Sequence, residues 1–464
     1  MFILPQNNIL SFFHYLCPNI FYYMTFSELN LNKALINALD DLGYQQPTSI
    51  QEKVFSVVMS GKDVLGIAQT GTGKTFAYLL PTLRQWQFSK DRHPQIMIVV
   101  PTRELVVQVV REIEKLTKYM SVVTVGVYGG ANINTQADIV ENGLDIIVGT
   151  PGRIMDLVYR GVLRLKNIKK LIIDEVDEML NLGFRPQLSS IFDLLTNKRQ
   201  NLLFSATITD EVDALLNTFF NDPVRIEAAP VGTPLENIHQ FAYEVPNFNT
   251  KVNLLDHLLA DEEEMSKVMV FVSTKSFADQ MYDKLSLKYG EKVGVIHSNK
   301  AQNNRFNTVK NFQSNEIRIL IATDIIARGI DILEVTHVIN FDVPDIAEHY
   351  IHRIGRTGRA DKQGISLTFV TPKEKEFQEA IEELMKRKIE IIEFPEAVEI
   401  SNVLIPDELP KVQMKTIQMK PKIEIGGAFH EKSAKNKKVN NKVRWQDKMK
   451  KKYGKPKTRG QKKK

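Results

Sequence analysis

The sequence predicts an α/β protein of two tandem domains, each a parallel sheet flanked by helices, followed by a basic disordered C-terminal tail. Three observations carry that expectation. The 464 residues exceed the roughly 250–300 that one hydrophobic core organises, and 43% hydrophobic with 25% charged residues is ordinary globular composition. Short apolar, β-branched runs alternate with longer amphipathic segments, twice over, as strands joined by crossover helices do. Residues 411–464 hold 20 Lys or Arg against 3 Asp or Glu, whereas residues 1–410 hold 41 against 52. The net charge of +6 is therefore a cationic tail on an acidic body, and such a tail points to a polyanionic partner.

Residues 1–23 contain no Asp, Glu, Lys or Arg. They lack the basic start and small-residue cleavage site of a secretory signal, and prolines and asparagines interrupt them well short of the ~18 apolar residues of a membrane span. The expectation is that translation begins at Met24 and that residues 1–23 are an over-extended N-terminus, with a short interaction segment as the alternative. The single cysteine, Cys17, excludes an intramolecular disulfide or a cysteine zinc cluster and suits a reducing cytoplasm.

The first domain is expected over residues 53–227, after a leading segment 24–52. Its strand candidates are Asp63 to Ala68, Ile96 to Val100, Val122 to Val127, Asp145 to Val148, Leu171 to Ile173 and Asn201 to Phe204. Residues 228–239, AAPVGTPLENIH, read as a linker. The second domain, 240–395, has strand candidates Val268 to Val272, Lys292 to Ile296, Ile317 to Ala322, His337 to Phe341 and Ile365 to Val370, closed by a helix Lys373 to Arg387. Residues 396–464 decay into Pro, Asn and Lys and form the tail.

The strongest local signal is Ala68-Gln69-Thr70-Gly71-Thr72-Gly73-Lys74-Thr75, directly after an apolar run and before an amphipathic segment. It reads as a phosphate loop. Glycines let backbone N–H groups close around phosphate oxygens, Lys74 reaches the β and γ phosphates, and Thr75 ligates Mg²⁺. Ala68 stands where Gly is usual. Further along, Leu171-Ile172-Ile173-Asp174-Glu175-Val176-Asp177 places carboxylates at a strand end, where open α/β sheets bind ligands. Asp174 suits Mg²⁺ and Glu175 suits a base for the attacking water. Alone, such a cluster would be an acidic helix start. In the second domain, His352-Arg353-Ile354-Gly355-Arg356-Thr357-Gly358-Arg359 spaces arginines three apart, so that they can converge on one anion as the domains close.

Together these residues resemble the DEAD-box RNA helicases, matched in order from Phe26 to Phe369, about three quarters of the chain. The resemblance implies tandem RecA-like domains and an ATP hydrolase, an acid anhydride hydrolase, that uses Mg²⁺ and separates short RNA duplexes. It implies that Phe26, Tyr44, Thr48 and Gln51 form an adenine-sensing segment, with Gln51 reading the base edge. It gives Thr102, Arg103, Gly130, Thr150, Pro151, Gly152, Arg153, Arg305 and Thr323 to the RNA backbone, Asp331 to the ribose, and Arg356 and Arg359 to the arginine-finger role. Asp177, Ser205, Thr207 and His352 would couple hydrolysis to strand separation. The layout also resembles bacterial helicases of the RhlE type. The chain departs from the family at Val176, where Ala is usual. Two extra carbons in a packed site cost about 1–3 kcal/mol unless neighbours are smaller; all three carboxylates are kept, so a tolerated variant is the favoured reading, and any loss would fall on the coupling through Ser205 and Thr207 before hydrolysis.

An RNA-stimulated ATPase that unwinds duplexes is the favoured reading. An ATP-gated RNA clamp and a translocating DNA helicase are the alternatives. The expected partner is RNA with little sequence preference and no membrane, the expected state a monomer, and ribosome assembly and RNA decay are suitable processes.

Overall fold

The computed structural model describes residues 24–68, 72–91, 93–227, 237–324, 335–358, 363–405, 408, 448–449, 451–452 and 454. The expected N-terminal extension 1–23, most of the linker and nearly all of the tail lie outside the described residues, as do Gln69, Thr70, Gly71, Asp331 and Arg359. The described residues from Met24 to Glu408 form one compact unit.

This unit contains two seven-stranded, all-parallel sheets. The first is built from β1 (Val64–Ile67), β2 (Ile96–Val99), β3 (Thr124–Val127), β4 (Ile146–Gly149), β5 (Lys170–Ile173), β6 (Gln200–Ser205) and β7 (Val224–Glu227), in the order β3-β4-β2-β5-β6-β1-β7. Its inner strands β1, β2 and β4 are buried apolar runs because both faces are covered by helices. In β2, Ile96 and Ile98 join the core on one face while Met97 and Val99 join the core on the other. Burying each such side chain contributes about 1.5–3 kcal/mol.

The second sheet comprises β8 (Ile238–Glu244), β9 (Val268–Phe271), β10 (Val293–Ile296), β11 (Ile319–Ala322), β12 (His337–Asn340), β13 (Gly364–Val370) and β14 (Glu390–Ile391), in the order β10-β11-β9-β12-β13-β8-β14. Three strands, β7, β8 and β14, were not among the candidates. β8 begins at Ile238 and so takes in the last two residues of the expected linker. Its run, IHQFAYE, alternates too loosely to stand out, and its pairing with β13 along all seven residues makes it a strand.

The tail also begins later than residue 396. Val398 is buried, and Asn247, Asn249 and Asn253 donate side-chain N–H bonds to the carbonyls of Ser401 (2.6 Å), Val403 (2.7 Å) and Glu399 (2.9 Å). Glu408 caps the helix Phe248–Leu259 by accepting from the Phe248 N–H at 2.6 Å. Long-range amide contacts to an extended segment leave no local periodicity, so composition alone misplaces this boundary.

Candidate nucleotide and nucleic-acid site

Apart from Phe26, Tyr44, Thr48 and Gln51, which precede β1, every expected site residue that is described lies at or just beyond the C-terminal end of a strand, or on the segment that follows. The phosphate loop leaves β1, the acidic box leaves β5, and β6, which ends at Ser205, runs between them. Ligands bind at this edge of open parallel sheets, where the order of strands reverses.

Gly73 precedes the helix Lys74–Arg84 with φ +89°, and a Cβ there would lie 2.5 Å from the Gln51 amide nitrogen. Both the backbone angle and that close approach require glycine. Gln51 donates to the Gly73 carbonyl at 3.2 Å and accepts from the Thr48 N–H at 2.9 Å, while Thr48 Oγ1 donates to the Thr72 carbonyl at 2.9 Å. An amide side chain has a second N–H and a second lone pair beyond these two bonds, which is what a bidentate contact to an adenine edge needs. Tyr44 is half-exposed and meets Phe76 edge-on at 5.3 Å, whereas Phe26 is buried and packs the segment on the core.

Lys74 is buried, and its Nζ makes no hydrogen bond. An ammonium desolvated in this way needs an anion. Facing it are Asp174, Glu175 and Asp177, all buried. Burial, with the neighbouring Asp177 adding to it, pushes the Asp174 carboxyl up against the pull of Lys74. Glu175 is also pushed up, to about 7, by burial and by Asp174, with Lys74 and Arg356 opposing. Its backbone is left-handed, φ 52°, at the start of the helix Val176–Asn181, a conformation that costs about 1–2 kcal/mol in a residue with a side chain. The turn is held by a bond from its own N–H to Asp174 Oδ1 at 2.9 Å, and Glu175 Oε2 has no partner. Tyr78 is wholly buried, and its phenol lies well above its usual range because of burial and the Asp174 charge. No motif marked it.

Asp177 behaves differently. Burial raises it, but His352, Lys74 and the Thr207 bonds outweigh that and hold it below the usual carboxylate range. Its Oδ2 accepts from Ala206 N (3.1 Å), Thr207 N (3.0 Å) and Thr207 Oγ1 (2.9 Å). Ser205 does not reach Asp177 and donates instead to the Thr207 carbonyl at 2.6 Å. Val176 is fully buried in the apolar core below. With Val in place Asp177 keeps its bonds to Ala206 and Thr207, as expected of a tolerated variant. The β-branched chain fills the core and does not displace the carboxylate.

The second domain completes the cleft. His352 Nε2 lies 3.9 Å from Asp177 Oδ2, and the Arg356 charge acts on Glu175. Arg356 Nε donates to the His352 carbonyl at 3.3 Å. Arg353, spaced as if to join Arg356, is turned away and fully buried.

Of the residues given to the RNA backbone, Thr102 and Thr150 start the helices after β2 and β4, and Thr102 Oγ1 accepts from Leu105 N at 3.2 Å. Gly130 has φ +83°, and a Cβ there would sit 2.2 Å from the Arg103 guanidinium. The loop and that arginine are thus in direct contact. Pro151 and Gly152 form the first turn after Thr150, with open space beside Gly152. Two arginines have protein partners that spacing did not reveal. Arg153 is buried, donating to Gln136 Oε1 (2.7 Å) and the Ala131 carbonyl (3.1 Å), so it props the turn carrying Gly130. Arg305 pairs across the cleft with Glu104 at 3.0 Å, both side chains buried. Thr323 is buried at the end of β11, its N–H 3.4 Å from the Ile296 carbonyl.

Among the described residues no cluster of three metal-ligating side chains occurs, and no helix is long and apolar enough to cross a membrane.

Two family models match the chain: DEAD/DEAH box helicase over residues 48–215 and helicase conserved C-terminal domain over residues 250–361. The chain is 40% identical over 388 residues to the DEAD-box ATP-dependent RNA helicase CshA of Bacillus cereus, covering 83% of this chain and 73% of that protein. It is 38% identical over 372 residues to CshA of Bacillus subtilis, covering 80% and 74%. Among solved structures, Saccharomyces cerevisiae Dbp5 bound to RNA and ADP BeF3 aligns with a TM-score of 0.72 at 29% identity, over 80% of this chain and 95% of that one. Mss116p bound to single-stranded RNA and AMP-PNP aligns with a TM-score of 0.73 at 28% identity, over 81% and 80%. With both family models in the expected order, relatives matched over most of their length and two RecA-like sheets meeting at one cleft, the chain belongs to the DEAD-box ATP-dependent RNA helicases.

Proposed function

We propose that this helicase is an RNA-gated ATPase whose catalytic set is divided between its two domains, so that turnover requires them to close. One observation carries the reading: buried Lys74, Asp174, Glu175 and Asp177 share a cleft with His352 and Arg356 from the other domain. The domains involved span 53–227 and 238 to about 408, led by the adenine-sensing segment 24–52. RNA contacting Arg103, Gly130, Thr150 and Thr323 on both domains favours the closed form, so RNA and ATP reinforce each other's binding. Contacts to the backbone carry no sequence information.

The residues present fit a nucleoside triphosphate with Mg²⁺. The unpartnered Lys74 ammonium is placed for phosphate oxygens, and the desolvated Asp174 carboxylate with Thr75 would hold the metal. When bound, Mg²⁺ neutralises charge on the phosphate oxygens. Glu175 orients the attacking water and takes its proton at the free Oε2, and Arg356 meets charge on the γ phosphate. Asp177, held by Ala206 and Thr207 on one side and facing His352 on the other, links the phosphate site to the domain interface. One chain supplies both halves of the cleft, so a monomer suffices. A cytoplasmic setting suits the single cysteine, and ribosome assembly or RNA decay suits the activity. The RhlE-type likeness remains a finer proposal, since the relatives above carry the name CshA.

Steady-state Mg²⁺-ATP hydrolysis without nucleic acid, with RNA and with DNA of matched sequence is the test. RNA is expected to raise the rate at least tenfold and DNA to leave it near basal, alongside displacement of a short RNA strand. Equal stimulation by DNA overturns the RNA reading, and ATP-dependent RNA retention without strand displacement favours the clamp.

The tail makes an auxiliary RNA contact in this proposal, through its lysines and through Phe429, Trp445 and Tyr453. Deletion from Lys411 is expected to weaken RNA binding and flatten its salt dependence by about 0.7 in the log–log slope for each phosphate no longer neutralised. Titrations of full-length and truncated protein at several salt concentrations check this, and identical slopes would rule the tail's role out.

A further inference from the structure

Arg353, Arg356 and Arg359 are spaced as one cationic set, yet the structure removes Arg353 from it. Its guanidinium forms a two-pronged ion pair with Asp324, Nε to Oδ1 at 2.5 Å and Nη2 to Oδ2 at 2.7 Å. Nη1 donates to the Asp342 carbonyl at 2.7 Å and to Asn340 Oδ1 at 3.3 Å, and the group lies 5.1 Å from the centre of the Phe271 ring. Asp324 follows β11, Phe271 ends β9, and Asn340 ends β12, three neighbouring strands in the sheet. One side chain therefore fastens the ends of three strands to the helix Ala347–Ile354 that carries it.

Consecutive helical residues point about 100° apart, so fixing Arg353 to the sheet edge aims its neighbour His352 elsewhere, towards Asp177. Arg356 follows through its bond to the His352 carbonyl. On the other side of the ion pair, Asp324 adjoins Thr323 in the chain. We propose that Arg353 is a positioning residue: its fork on Asp324 sets the aim of His352 and Arg356 by the placement of the Thr323 segment, which links the RNA-facing end of β11 to the ATP cleft. The inference rests on the roles proposed above for Thr323, His352 and Arg356.

A buried ion pair is a poor device for stability alone, because apolar residues of similar volume often replace one without loss, whereas removing a single partner strands a charge. That contrast supplies the test. Asp324→Asn and Arg353→Lys are each expected to lower RNA-stimulated kcat for ATP by about 10- to 100-fold, while the Kd of a fluorescent ATP analogue, held by the first domain, changes less than threefold. The double variant Arg353→Met with Asp324→Leu is expected to recover the thermal midpoint lost in Asp324→Asn but not the turnover. Recovery of RNA-stimulated kcat together with the midpoint would mean that the pair only stabilises the domain and would overturn the inference, as would full turnover in Asp324→Asn. Arg356→Ala is run beside them. If that variant alone keeps full turnover, the role given to Arg356 fails, and the inference falls for that reason and not because of the Arg353–Asp324 pair.

Discussion

Glu175→Gln is expected to lower RNA-stimulated ATP hydrolysis by about 10²- to 10⁴-fold, the usual contribution of a general base, while ATP and RNA binding persist and a closed complex accumulates. The carboxylate is buried, its Oε2 is unpartnered, and burial with Asp174 carries it to about 7. Glutamine keeps the shape and removes the proton acceptor. Single-turnover hydrolysis with a parallel RNA-retention assay reads both effects, and full turnover would remove the base assignment.

The same titration gives two pH signatures. Wild-type kcat/KM for ATP should fall as pH drops through about 7, because the protonated carboxyl cannot accept the water's proton. Stability runs the other way. A carboxyl whose folded pKa lies above its unfolded value binds more protons folded than unfolded between the two, so stability is lost as pH rises from about 4.5 to about 7. On the order of 3 kcal/mol is at stake, and Glu175→Gln should recover much of it. The variant is therefore expected to melt above wild type at pH 8 and to converge with it near pH 4, which differential scanning calorimetry measures directly.

Lys74→Ala is expected to abolish measurable ATP binding, weakening it at least about 100-fold, in line with the 2–5 kcal/mol lost when one member of a desolvated charge pair is truncated. In the unliganded protein the ammonium is buried without a hydrogen bond, so its removal breaks none, but it takes the cation away from three buried carboxyls and should lower the melting point while the fold is kept. Removal also deletes the positive charge that lowers Asp174, Glu175 and Asp177, and Glu175 should move higher still. Calorimetric titration with Mg²⁺-ATP, beside a thermal melt, separates lost binding from lost folding. Wild-type affinity would show that the phosphate is held elsewhere.

Much of this protein is written in local chemistry. Continuous apolar runs such as Ile96–Val99 mark strands buried on both faces, because burial on two sides suppresses the alternation that one-sided strands show. The phosphate loop and the acidic box are equally legible, because phosphate binding needs glycine, lysine and a hydroxyl at fixed spacing in one short segment. Charge asymmetry marks residues 411–464 as basic, but it gives no sign of the contacts that hold residues 399–408 against the helix Phe248–Leu259.

What only the tertiary structure decided are the partners of side chains that look alike in sequence. Arg153, Arg305, Arg353 and Arg356 are all arginines within motifs, yet one props a turn on Gln136, one pairs with Glu104 across the cleft, one fastens strand ends through Asp324, and one faces Glu175. The acidic box shows the same division: Asp174 and Glu175 are pushed up while Asp177 is held down, in a run of four residues.

The box by itself says only which carboxyls are present, because charge, hydrogen bonding and burial each act over a few ångströms. Which groups lie within that distance depends on how strands from distant parts of the chain are ordered in the sheet, and on how the second domain meets the first. Residue type and spacing therefore determined the fold class and the reaction, while which charged side chains pair with one another, and which are left facing the cleft, was decided by packing.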